Sequence, residues 1–283
     1  KLNYSSEAQK NFKKLLENNP DHYNSKYYLA LINYENEKFS ESIPLFLDLL
    51  QYDSKNYEIY NYLGDSYLKT NNLKLALSSY RQSLKLNSYD ANIYYQIGLI
   101  YEQLLNIEEA IKNYNQAINM DDNNKDLIYR LGMILYQDGQ YKKSLEYLRR
   151  HLLYQPKDIQ VIKILANVLY SLNRLPEAID NYKRLIELEQ NNMSYYYKIA
   201  LAYWDLGNYN KAQFYYNTIL EYEEFQTGEV YYYLGFIANQ NKNYDLALDY
   251  FFYARECGYN SLNLYNQISI SLLKKENYKD LIP

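Results

Sequence analysis

The chain has 283 residues, with 30 Lys and Arg set against 34 Asp and Glu and a net charge of -4. It therefore lacks the basic excess from which nucleic-acid binders draw their phosphate affinity, and no nucleic-acid partner is expected. Hydrophobic residues make up 48%, but 40 of them are tyrosine. No run approaches the about 18 apolar residues of a membrane span, and a mean hydropathy of -0.59 points to a soluble chain with no direct membrane insertion.

Lys1 to Ser6 already leads into a helical pattern, and no signal peptide is visible in it. Residues 1–22 are expected to form the second helix of a preceding repeat. Full repeats then follow at 23–56, 57–90, 91–124, 125–158, 159–192, 193–227 and 228–261, and residues 262–283 hold the first helix of a further one, over 262–275. Three ladders set this register. Small residues follow Leu or Ile at Ala30, Gly64, Gly98, Gly132, Ala166, Ala200, Gly235 and Ser269. A second ladder runs through Ala8, Ser42, Ala76, Ala110, Ser144, Ala178, Ala212 and Ala247. The third, four residues on, carries Phe12, Phe46, Tyr80, Tyr114, Leu148, Tyr182, Tyr216 and Phe251. All three step by 34 with a single step of 35. Each repeat shows two apolar stripes at helical spacing, such as Tyr94, Ile97, Tyr101 and then Ile107, Ile111, Tyr114, Ile118.

The turns follow the same register. Gly139 and Gly207 suit the left-handed end of a first helix, and Pro176 falls where a second helix begins. Pro44, early in its helix, is expected to delay that helix by a turn. The extra residue near Glu224–Gly228 is expected to bend the stack locally. The 8 Gly and 5 Pro are scattered, with no linker-like or single-sign block. One array over 1–283 is therefore expected, and since it begins and ends inside a repeat, it reads as a fragment of a longer protein.

Tyr60-x2-Leu63-Gly64-x2-Tyr67 with Ala76-x3-Tyr80, and Tyr94-x2-Ile97-Gly98-x2-Tyr101 with Ala110-x3-Tyr114, resemble the tetratricopeptide repeat family. Tyr or Ile stands where the family has Trp, and Pro20 and Pro156 occupy the repeat-end proline. The resemblance covers essentially the whole chain. It implies an all-α, right-handed superhelical solenoid of antiparallel helix pairs, about seven full repeats with a half repeat at each end.

Catalytic residues, metal ligands and cofactor motifs are not found: no phosphate loop, Cys/His cluster or Ser-His-Asp set is present, and no small-molecule substrate is expected. The lone Cys257 excludes an internal disulfide and is expected to be a buried small hydrophobe. His22 and His151 are expected to be structural or solvated. The resemblance implies instead a concave groove lined by first helices. Its positions carry Tyr129, Met133 and Tyr136, then Lys163, Asn167 and Tyr170, then Tyr197, Leu201 and Trp204, then Tyr232 and Phe236. Such an aromatic surface suits a protein or peptide partner.

Two narrower forms within the family fit poorly. Lys163 and Asn167 match the first half of a carboxylate clamp, but Glu229 would repel its ligand. The asparagine ladder of a glycosyltransferase-linked superhelix is replaced by Tyr28, Tyr62, Gln96, Arg130, Ile164, Lys198, Tyr233 and Gln267. The sequence thus points to a non-enzymatic scaffold or adaptor in a multiprotein assembly, cytoplasmic or periplasmic; the alternative is the targeting or regulatory region of a larger enzyme. Its AT-rich composition suggests a bacterial source, and with the repeat type it suggests a scaffold of the periplasmic flagellar motor.

Overall fold

A computed structural model describes residues 6–190 and 192–279. Lys1–Ser5, Asn191 and the last four residues of the 262–283 half repeat lie outside the described residues. Sixteen α-helices and one 3-10 turn account for the described chain, with no strand among those residues. The chain divides into two compact units, 1–138 and 139–283.

The first unit contains α1 (Ser6–Asn18), α2 (Tyr23–Glu35), α3 (Phe39–Tyr52), α4 (Tyr57–Lys69), α5 (Leu73–Leu86), α6 (Ala91–Gln103), α7 (Ile107–Met120) and α8 (Lys125–Gln137). The second contains α9 (Tyr141–Tyr154), α10 (Ile159–Ser171), α11 (Leu175–Leu188), α12 (Met193–Asp205), α13 (Tyr209–Leu220), the 3-10 turn Glu223–Phe225, α14 (Gly228–Gln240), α15 (Tyr244–Glu256) and α16 (Leu262–Lys279). The helices α2, α4, α6, α8, α10, α12, α14 and α16 begin at Tyr23, Tyr57, Ala91, Lys125, Ile159, Met193, Gly228 and Leu262. Within each unit every helix packs on the next.

Local chemistry explains these boundaries. The residue before four of the first helices is a side-chain cap: Asn56, Asp90, Asn124 and Asp158 accept the N–H of Ile59, Ile93, Leu127 and Val161, whereas Thr227 before α14 makes no such bond. His22 fills the same place with its ring, Nδ1 accepting from Ser25 N at 3.2 Å. The turn between paired helices holds one residue at positive φ in every repeat: Glu37, Asn71, Leu105, Gly139, Asn173, Gly207 and Lys242. Only two of the seven are glycine, so five repeats hold an ordinary side chain in a left-handed conformation that costs about 1 kcal/mol or more.

The ladders meet in space. A Cβ placed on Gly64 or Gly98 would lie 2.4 Å from the ring of Tyr80 or Tyr114. On Gly235 it would lie 2.6 Å from Phe251. Those aromatic rings are fully buried, so the small residue of one helix is the seat of the aromatic residue of its pair.

Two expectations are corrected. Pro44 does not delay its helix: α3 starts at Phe39 and passes through the proline. The first four N–H groups of a helix have no intrahelical partner, so the sixth residue forfeits only the bond to the Ser40 carbonyl, and Ser40 is exposed to water. Cys257 is exposed, not buried. It caps the C-terminus of α15 after Ala254, the last buried residue of that helix. The extra residue near Glu224 is taken up by a shortened α13 and the 3-10 turn that follows it.

Candidate functional site

In the second unit, α10, α12 and α14 present residues three and four apart, which share one helix face. From α10, Tyr170 donates its hydroxyl to the Asp205 carboxylate of α12. From α12, Tyr197 lies beside the Glu229 carboxylate of α14. Burial first, and the neighbouring carboxylate second, push both tyrosines well above their usual pKa. Both therefore remain protonated at neutral pH. Asn167 accepts from Tyr182 at 2.8 Å, and the Lys163 ammonium lies over the Tyr195 ring, 5.6 Å from its centroid.

Trp204 is half-buried and sits among three rings. Its ring centroid is 4.7 Å from Tyr233, 4.8 Å from Phe236 and 5.0 Å from Tyr209. Tyr233 in turn stacks on the buried Tyr216 at 5.3 Å and 6°. Tyr232 turns the other way, towards Tyr259 and Phe251. Leu201 lies one turn before Trp204 on α12 and is partly buried. The surface is thus an aromatic sheet across α12, α13 and α14, edged by Asp205 and Glu229. Its rings also pack on one another, so Trp204 has a structural share that its place outside the ladders did not reveal.

Of the remaining groove residues, Tyr129, Met133 and Tyr136 lie on α8 in the first unit, half-buried on one face. Sequence reasoning missed Asp205, Tyr209 and the packing role of Tyr233. Tyrosine-to-carboxylate bonds between successive first helices also join Tyr34 to Asp65 at 2.8 Å and Tyr95 to Asp126, but at different repeat positions, so the period did not mark them.

The buried tyrosines of the second helices bond back to the first helix of their own repeat. Tyr80 donates to Asp65 at 2.5 Å, Tyr114 to Glu102 at 2.5 Å and Tyr182 to Asn167. Tyr216, the next in the ladder, has a buried hydroxyl with no partner. The residue in the place of Asn167 is Leu201, which cannot accept. The two histidines are structural: His22 is the cap described above, and the buried His151 holds Asp158 at 2.9 Å.

Models of the tetratricopeptide repeat match residues 2–51, 64–104, 166–207 and 194–225. The chain is a tetratricopeptide repeat protein. A model described as anaphase-promoting complex, cyclosome, subunit 3 matches residues 106–185. No curated protein matches the tetratricopeptide chain as a relative.

Solved structures share its fold at low identity. A tetratricopeptide repeat protein from Parabacteroides merdae is 17% identical, with a TM-score of 0.50 over 88% of this chain and 98% of that one. YrrB, described as a TPR protein with an unusual peptide-binding site, is 22% identical, with a TM-score of 0.52 over 72% and 96%. A chain of the Naa15/Naa10 structure bound to HypK-THB is 12% identical, with a TM-score of 0.67 over 92% of this chain and 41% of that one.

No described helix is long and apolar enough to cross a membrane.

Proposed function

We propose that this tetratricopeptide protein is a non-enzymatic interaction scaffold that binds a peptide, helix or partner domain on the first-helix face of its second unit. The observation that carries this reading is the half-exposed cluster of Trp204, Tyr233 and Phe236. It is a rigid aromatic surface, and such surfaces supply contact area at little entropic cost. Asn167, Leu201, Tyr170 and Tyr197 extend it along α10 and α12, with Lys163 and Tyr232 at its margins. Tyr129, Met133 and Tyr136 offer a similar strip on α8. YrrB lends support by analogy, since a protein of the same fold carries a peptide-binding site. A role in a bacterial assembly such as the periplasmic flagellar motor is a narrower form of this proposal.

Affinity capture with the whole chain, read by mass spectrometry, tests it. A partner retained by wild type should be lost with Trp204→Ala while the variant keeps its helical circular dichroism. Equal retention by the folded variant would remove this face as the site.

A further inference from the structure

The first unit carries a concave surface of different chemistry. A groove of about 810 Å³ opens against the C-terminal ends of α2 and α4 and one face of α6. Its lining includes Glu35, Glu37 and Asp65, with Lys69 as its one cationic residue. None of the three carboxylates has an ion-pair partner among the described residues. Asp65 is held by the hydroxyls of Tyr34 and Tyr80, which fix its direction without neutralising its charge.

The opposite wall is a row of carboxamides. Asn92, Gln96 and Gln103 fall four and seven residues apart on α6, on one helix face, and their side chains make no hydrogen bond to any described residue. Leu99 stands among them and Leu68 across from them. One turn before Asp65 on α4, Asn61 holds a buried side-chain oxygen that also has no partner. A carboxamide offers one acceptor and two donors, which suits a main chain whose own N–H and C=O groups are unpaired. An extended segment has such groups, whereas a helix uses them internally.

We propose that this groove binds an extended segment of a partner protein bearing lysine or arginine side chains. The cations pair with Glu35 and Glu37, the carboxamides of α6 take the main chain, and Leu68 and Leu99 receive the aliphatic stems that such side chains bury. This rests on the scaffold reading of the chain but not on the aromatic face of the second unit.

The test is fluorescence anisotropy of the whole chain with a fluorescein-labelled peptide of alternating lysine and serine, and with its counterpart carrying glutamate for lysine. The lysine peptide should bind, and bind less as salt is raised, while the glutamate peptide should not. Glu35→Gln with Glu37→Gln should weaken binding about fivefold, since each exposed ion pair contributes modestly. Glu223→Gln with Glu224→Gln removes the same charge from an exposed turn of the second unit and should change nothing. Absence of lysine-peptide binding, or equal weakening by the two charge-removing pairs, would overturn the proposal. Trp204→Ala should leave this binding intact, so failure of the aromatic site and failure of this groove are separable.

Discussion

Substitution at Gly98 probes the packing rule that defines every repeat. A β-carbon there would stand 2.4 Å from two ring carbons of Tyr114, so the ring or the helix must retreat by about 1 Å to reach ordinary contact. The ring cannot swing aside freely. Its side chain is fully buried, its hydroxyl is bound to Glu102 at 2.5 Å, and Arg130 holds Glu102 at 3.3 Å. Overpacking of this kind costs about 1–3 kcal/mol. Replacing a helical glycine by alanine returns about 1 kcal/mol of backbone preference.

Gly98→Ala should therefore be close to neutral or destabilising by up to about 2 kcal/mol. Gly98→Leu, with three more carbons to place, should cost about 3 kcal/mol or more. Ala166, the equivalent ladder residue two repeats on, is buried with its methyl group in place, so Ala166→Gly should destabilise rather than relieve strain. The assay is urea unfolding followed by far-ultraviolet circular dichroism, comparing midpoints at unchanged slope. A Gly98→Leu midpoint equal to wild type would refute the close-approach argument and with it the ladder register.

Three further outcomes follow from particular residues. Leu105 lies at φ 57° and is 83% exposed, so Leu105→Gly should stabilise the chain by about 1 kcal/mol in the same urea assay. Tyr182→Phe should cost about 1 kcal/mol because it removes the bond to Asn167, whereas Tyr216→Phe should be neutral or stabilising because its hydroxyl has no partner to lose. Burial alone would raise the Asp126 pKa, but bonds from Tyr95 and Arg130, with the Arg130 charge, hold it below the usual carboxylate value. Its contribution is thus complete above about pH 4 and lost as pH falls through the lower folded value. Asp126→Asn should flatten the acid limb of a stability–pH profile, and an unchanged limb would contradict the assignment.

Much of the fold is legible in the sequence because each repeat solves the same local problem. Gly64, Gly98 and Gly235 in one ladder, and Tyr80, Tyr114 and Phe251 in another, mark where a small residue and an aromatic ring meet. The 34-residue period carries this pairing along the chain. Pro44 and Cys257 were less legible because their outcome depends on what surrounds them. A proline one turn into a helix is cheap when the carbonyl it strands faces water, and a cysteine at a helix end is buried only if the next turn covers it.

The candidate sites were legible in part. Aromatic groove positions could be named by register, but the bonds that orient them join residues 31 to 35 positions apart, such as Tyr34 to Asp65 and Tyr170 to Asp205. The carboxamide row of α6 was passed over because Asn92, Gln96 and Gln103 stand out only once α2 and α4 close a groove against them.

The central claim, that the aromatic first-helix face is the binding surface, is tested most directly by calorimetric titration of a captured partner against two variants. Trp204→Ala removes the centre of the ring cluster. Phe214→Ala removes a ring of α13 that is 66% exposed and lies on a second helix. Central aromatic anchors often cost about 2 kcal/mol or more on truncation, so Trp204→Ala should raise Kd about 30-fold, with Phe214→Ala within about twofold. The opposite order, measured on variants that both remain folded at the titration temperature, would place the site on the second-helix face and contradict the account.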